Sequence, residues 1–299
     1  MHTQFYDQVL TEIQSGNVKD GITLLVGMLD TVSHDECQFA AASTLLKAHD
    51  LWRLLLEDPI CAFANALPRQ PALLVDLICD QAVPASTSST GRRLFEVTSS
   101  LTFARAIRER VKITDDKLVR AWQAGSKTCI LGVDNLRALR SLAGQDLSNI
   151  TFVDSDPLNL TRSEAAFGPS LIRLNASTEQ FLCGSAKTGA RFDLICATTA
   201  ADYLAPDALA AFFLRGRTRL SNQGVLQIAS FVPQHLGSGW RRACLGWNIN
   251  GHTASQITHS AARASLVASS YRDTTDSVIW SELRLANEKL TKVEPKNGH

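Results

Sequence analysis

What this chain most lacks is a charge bias: 30 Lys and Arg face 29 Asp and Glu, a formal +1 over 299 residues. No basic stripe with interleaved aromatics stands out either, which argues against a nucleic-acid footprint or a polybasic membrane surface. No window approaches 18 uninterrupted apolar residues, so no spanning helix is expected. The first ten residues are already polar and acidic, and no secretory signal is expected there. Cysteines number seven, but none falls in a CxxC pair or a Cys/His cluster, so no metal site is expected. Cys79, Cys129 and Cys196 sit in apolar runs, where a free thiol behaves as a small hydrophobe. A reduced, cytoplasmic compartment is the expectation.

What is present is an apolar content of 45%, enough for a sizeable core. Before Lys127 the pattern is helical. Phe5, Val9 and Ile13, then Ile22, Leu25, Val26 and Leu29, recur at helical spacing, with a break at Ser15-Gly16-Asn17. A helix is predicted over 35–56, a short one over 72–80, then helices over 91–111 and 115–124. Arg92, Arg93, Arg105, Arg108 and Arg110 are placed on a solvated face, and the segment 81–90 reads as a polar linker or lid. After Lys127 the chain alternates. The expected division is a helical domain over 1–126, serving as lid, substrate or oligomerisation part, and an α/β domain over 127–299.

The organising stretch, KTCILGVDNLRALRSLAGQDLSNITFVDSD, is predicted as a buried strand, a turn at Gly132, a helix from Asn135 to Leu142, and a second strand ending on Asp154. Gly132 and Asp154 lie 22 positions apart, near the roughly 20 that bring a carboxylate to a ribose in nucleotide-cofactor half-sites. The loop holds one glycine where such loops usually hold two or three. Further strands are predicted over 170–174, 192–197 and 225–229, and a terminal hairpin over 265–273 and 277–286. Parallel strands closed by an antiparallel hairpin give the outline of the class I methyltransferase fold, an α/β sheet of about seven strands. A nicotinamide-binding fold would continue with a sixth parallel strand.

Local motifs carry a resemblance in the same direction. EDPICAFANALPR, TSSTGRRLFEVTSSLTFARAIRER, FVDSDPLNL, FDLICATTAADYL, SFVP and GWNINGHT occur in order between about Leu56 and Asn287. In that order the chain resembles the bacterial S-adenosylmethionine-dependent enzymes that make the methyl ester of 3-hydroxypalmitic acid, a quorum-sensing extracellular factor. The resemblance implies S-adenosylmethionine as cofactor and methyl transfer to a small-molecule acceptor, the carboxylate of a hydroxy fatty acid or a related signal. The departures fall at functional places. Asp134 stands where the family has glycine, Ala138 where it has glutamate, Ser230 where it has asparagine, and His252 where it has arginine. A carboxylate at position 134 about 4 Å from the cofactor's own would repel it by roughly 4 kcal/mol at an effective dielectric of 20. An outward side chain, or one paired with Arg137, would remove that penalty. A methyltransferase-like protein without transfer activity, serving as a binding or assembly partner or holding another ligand, is the competing expectation.

Candidate residues follow from strand ends. Gly132, Asp134, Asp154, Ser155, Asn175, Ala176 and Thr198 are the expected cofactor contacts, with Asp154 on the ribose hydroxyls. Asp156 before Pro157 reads better as a helix cap. Tyr203 beyond the fourth strand could orient a substrate or anchor a helix. His235 after the fifth strand is placed like a general base or is a surface loop residue. Arg69 could meet an acidic head group. Methylation of a carboxylate requires alignment rather than a strong base, since the nucleophile is already ionised. A small-molecule acceptor, no nucleic acid, no membrane span and a possible homodimer complete the expectations.

Overall fold

The computed structural model describes residues 2–67, 71–183 and 190–286, and for residues 2, 71, 72 and 133–135 the backbone alone. Arg69, among the candidate residues, lies outside the described residues. Eight helices come first: α1 (His2–Ser15), α2 (Val18–Val32), α3 (Glu36–Ala48), α4 (Asp50–Leu55), α5 (Pro59–Ala66), α6 (Pro71–Asp80), α7 (Ser89–Thr98) and α8 (Thr102–Gln123). Their starts are written in the sequence as caps. The side chains of Asp35, Asp58 and Ser88 accept from Cys37 N, Ile60 N and Gly91 N, respectively.

Two predicted helices divide differently. The expected helix over 35–56 is broken at His49, whose backbone is extended and whose ring nitrogen accepts from Leu51 N to start α4. The expected break near residue 113 is absent, and α8 runs through it because 111–114 holds no breaker. The break falls instead at 99–101, where Arg108 Nη1 donates to Ser99 O at 2.7 Å and satisfies a carbonyl left open by the end of α7.

The sheet follows: β1 (Thr128–Leu131), β2 (Ile150–Asp154), α9 (Pro157–Phe167), β3 (Ile172–Asn175), α10 (Thr178–Leu182), β4 (Phe192–Ala197), α11 (Pro206–Thr218), β5 (Leu220–Phe231), α12 (Ser238–Leu245), α13 (Ala254–Arg263), β6 (Leu266–Arg272) and β7 (Val278–Leu285). Strand order is β3-β2-β1-β4-β5-β7-β6. β1 to β5 are parallel, and β7 lies antiparallel between β5 and β6, with Ala229 opposite Trp280. The hairpin turn is built by Asp273, whose Oδ1 accepts from both Ser277 N and Val278 N at 2.9 Å. This is the class I methyltransferase fold, and no sixth parallel strand occurs among the described residues.

Between β1 and β2 the expected α-helix is a 3-10 helix, Val133–Leu142. Three residues per turn put Leu136, Leu139 and Leu142 on one line and Arg137 with Arg140 on another. Leu139 and Leu142 are buried beneath. Arg137 and Arg140 meet Asp76 and Asp80 of α6.

One core joins the N-terminal helices to the sheet: Leu25, Leu29 and Phe103 pack with Phe231, Trp240 and Trp280. A second covers the opposite face with Phe192, Phe213, Ile228 and Ile257. A third, around Leu118, Ile130, Leu139 and Phe152, is shared by α8, the 3-10 helix and β1 and β2. The close approach of α2 and α12 depends on Gly239, where a Cβ would stand 2.3 Å from the Leu29 carbonyl carbon and oxygen. Gly239→Ala should therefore lose about 2–3 kcal/mol of stability in chemical denaturation, as overpacking against backbone does. Gly27→Ala, at a site with nothing within 4 Å, should be neutral or slightly stabilising. Equal effects of the two substitutions would contradict the α2–α12 packing.

Candidate functional site

In an open α/β sheet, ligands sit at the carboxyl ends of the strands. Here Gly132, Asp154, Asn175 and Thr198 follow or end β1, β2, β3 and β4 along that one edge. Gly132 N donates to Val153 O at 3.0 Å and Ala176 N to Asp154 O at 3.1 Å, so the three tips are tied together. Gly132 holds φ +87°, and an added Cβ there would meet only Thr199 Oγ1, at 3.9 Å. The backbone is therefore open to a close neighbour at this point.

Asp154 is half-buried. Its Oδ1 accepts from Asp156 N at 2.8 Å and from Asn159 Nδ2 at 3.2 Å. Oδ2 has no partner among the described residues. Asp156 caps α9 through Leu158 N, as its place before Pro157 suggested. Ser155 and Asn175 are exposed, while Ala176 and Thr198 are buried. Thr198 Oγ1 lies 3.5 Å from Thr114 Oγ1 of α8.

Beyond β4 the chain turns through a short 3-10 segment, Ala200–Tyr203. Asp202, 2% exposed, is its anchor. Asp202 Oδ2 pairs with Arg110 Nη1 at 2.6 Å, Oδ1 accepts from Phe231 N at 2.8 Å, and the carbonyl accepts from Asn250 N at 2.7 Å. Arg110 is not on the solvated face expected for it but 7% exposed. It follows Phe103, Ala106 and Ile107 at helical spacing, and that spacing was the available signal. Its Nε and Nη2 are buried without a partner among the described residues. Around it, Val75, Ile107, Thr114, Thr199 and Trp247 wall a cavity of about 20 Å³.

Tyr203 is 47% exposed and its hydroxyl accepts from Trp247 Nε1 at 3.0 Å. His235 is not a surface residue: 7% exposed, it stacks on Phe231 with ring centroids 4.7 Å apart. Its Nδ1 faces Leu236 O at 3.1 Å. Burial, with the nearby Arg241 guanidinium, pushes its pKa down to about 4. Arg241, absent from the residues singled out by sequence, is 3% exposed and contacts the same ring. His252 is buried and faces Ala201 O at 2.9 Å, holding the two loops together.

Arg137, the residue considered as a partner for Asp134, bonds to Asp76 and Asp80 of α6. These bonds push its pKa up and hold Asp80 below the usual carboxylate range. A clamp of α6 onto the 3-10 helix results. No group of His, Cys, Asp and Glu among the described residues could hold a metal ion. No helix among them is long and apolar enough to cross a membrane.

No protein-family model matches the chain, and no curated protein does. Solved structures share its fold. A possible exported protein from Bordetella parapertussis is 16% identical with a TM-score of 0.51, over 72% of this chain and 79% of that one. The 1,6-didemethyltoxoflavin-N1-methyltransferase of Burkholderia thailandensis, with bound S-adenosylhomocysteine, is 15% identical with a TM-score of 0.44, over 64% and 86%. The N-methyltransferase NodS of Bradyrhizobium japonicum WM9 is 14% identical with a TM-score of 0.42, over 60% and 98%. The sheet order defines the class, a class I methyltransferase-like α/β fold.

The burial of His235 sets a pH dependence. Its folded pKa lies below the ordinary 6.5, so its stabilisation is complete above 6.5 and is lost as pH falls towards 4. The loss is about 3 kcal/mol. Asp58, whose burial pushes its carboxyl up to about 6, acts in the opposite sense and stays constant between variants. Denaturation of wild type and His235→Asn between pH 7 and pH 4 should therefore show a shallower decline in the variant. Parallel curves would place the imidazole in water.

Proposed function

We propose that this chain binds S-adenosylmethionine along the carboxyl edge of β1, β2 and β3 and transfers its methyl group to a small-molecule acceptor. The observation that carries the reading is Asp154. A carboxylate at the tip of β2, with Oδ2 unengaged and the open backbone of Gly132 on the adjoining strand, suits a pair of ribose hydroxyls. Ser155, Asn175 and Ala176 would border the adenine. Thr198 and the Asp134 backbone would border the methionine half, where the unpaired N–H groups of Arg110 offer donors to a carboxylate. When bound, the cofactor supplies an electrophilic methyl group. The chain's part is to orient it and to exclude water.

In this reading residues 1–126 form a cap over the edge, since α8 and α6 both reach it. Tyr203, His235 and Arg69 remain acceptor-side proposals. A buried imidazole with its pKa near 4 makes a weak base, which suits an acceptor already ionised, such as a carboxylate. The finer form, O-methylation of a hydroxy fatty acid, rests on the sequence resemblance, and the Arg241 guanidinium supports its anionic half.

A second reading, ligand binding without transfer, is favoured by one feature. The cavity beside Arg110 measures about 20 Å³, room for about one water, and the Arg137 clamp holds α6 over it. Calorimetric titration with S-adenosylhomocysteine decides the cofactor question. Wild type should bind, and Asp154→Ala should bind about a hundredfold more weakly, the effect of losing charge-assisted hydrogen bonds worth roughly 3 kcal/mol. No heat at millimolar ligand with a folded protein would overturn cofactor binding. Binding without turnover across acceptor panels would favour the second reading.

A further inference from the structure

Beyond the carboxyl end of β5 lies a second, larger cavity of about 440 Å³, walled among others by His235, Ser238, Arg241, Arg242, Asn248 and Asn250. Its size is that of a small-molecule site. Two of its walls are charged or polar side chains more than nine-tenths buried with an atom unsatisfied. Arg241 Nε has no partner among the described residues, and neither has His235 Nε2. The other named wall residues are hydroxyl, amide or guanidinium groups.

The charges are unbalanced in a telling way. Arg110 has Asp202 and Arg242 has Glu36 as ion-pair partners. Asp30, from α2, accepts from Gly237 N and Gly239 N at 2.7 Å and so caps α12. Arg241 has no carboxylate within ion-pair distance among the described residues; its Nη1 donates to the backbone carbonyl of Trp247. Asp202 and Asp30 act on it only from farther off, and a buried guanidinium with no carboxylate in direct contact is costly unless an oxyanion completes it. His235 adds the complementary feature. With Nδ1–H donated to Leu236 O, neutral Nε2 is an acceptor with no donor among the described residues; it lies just beneath the cavity wall, and a ligand O–H or N–H reaches it through a small shift of that wall.

The cavity also lies beside the methyl-transfer edge. Thr199, next to Gly132, shares the small cavity with Arg110, and Arg110 stacks at 4.4 Å on Phe231, which lines the large one.

We propose that this cavity is the acceptor's seat and that the acceptor is a compact, hydroxylated anion of the sugar-acid or sugar-phosphate kind. Its oxyanion is anchored by Arg241, and a hydroxyl donates to His235. The use of the site as an acceptor seat rests on the methyl-transfer reading, whereas ligand binding there does not. The walls are mostly polar, with Phe231, Val232, Pro233 and Ile249 the apolar ones, so the cavity fits hydroxyls better than a long acyl chain, a departure from the fatty-acid form of the acceptor.

Isothermal titration without cofactor tests it, with gluconate, ribose 5-phosphate, neutral glucose and dodecanoate as probes. One of the two hydroxylated anions should bind in the millimolar range or tighter, and which one binds distinguishes carboxylate from phosphate. Glucose should bind at least about tenfold more weakly, as should the anion to Arg241→Gln. Asn250→Leu, which keeps the backbone bond to Asp202 while changing only the wall, should weaken the anion about fivefold. Equal affinity for glucose and the anions, unchanged affinity in both variants, tighter binding of dodecanoate, or no binding by any probe would each overturn the assignment. Loss of S-adenosylhomocysteine binding alone would instead count against the methyl-transfer reading.

Discussion

The buried pair between Arg110 and Asp202, 2.6 Å apart, is the interaction on which the functional edge depends. One residue, Asp202, ties four segments: its carboxylate holds α8 through the Arg110 guanidinium and the end of β5 through Phe231 N, its own backbone follows β4, and its carbonyl accepts from Asn250 N of the 247–252 segment. Neither partner can be deleted cheaply. Removing one member of a buried pair leaves an uncompensated charge, at about 3–5 kcal/mol. The pair also fixes what surrounds it. Phe231, pinned at its amide, carries Arg110 and His235 on its ring at 4.4 and 4.7 Å. That ring separates the narrow space beside Gly132 and Thr199 from the wide polar cavity beyond β5.

The N-terminal helices are joined to the sheet by shared side chains as well as by this pair. α8 contributes Phe103 and Ile107 to the core under β5 and β7, and Leu118 to the core under β1 and β2. The Arg137–Asp76 and Arg137–Asp80 contacts add a clamp at the surface. Surface pairs of this kind contribute little individually, but a guanidinium shared by two carboxylates on one helix fixes the register between α6 and the 3-10 helix.

Much of this was legible in the sequence. The alternation after Lys127 and the terminal hairpin required only period and turn chemistry, and the Asp-Pro at 156–157 announced its own cap. Asp154 could be placed because a strand end is a local property. What escaped was decided by distant partners. Leu136, Leu139 and Leu142 satisfy a three-residue repeat nearly as well as a 3.6-residue one, so the choice falls to distant partners, α8 and the sheet on the leucine side and α6 on the arginine side. The division at His49 depends on a ring that caps α4 while facing Asp7 of α1. Arg110 looked like one of five surface arginines, although its spacing from Phe103 and Ile107 already put it on the buried face. Nothing local distinguishes Arg241 from Arg242, yet Arg242 reaches Glu36 and Arg241 reaches no carboxylate among the described residues.

In the proposed function, Asp154 and Gly132 form the nucleoside end of a cofactor site on a methyltransferase sheet. A crystal structure of the chain grown with S-adenosylhomocysteine tests it most directly. Ribose hydroxyls are expected within hydrogen-bond distance of the Asp154 carboxylate and the cofactor backbone passing over Gly132, with α6 displaced from the 3-10 helix or the small cavity beside Arg110 widened. Density for the ligand elsewhere, or an unchanged edge with no ligand under saturating conditions, would contradict it.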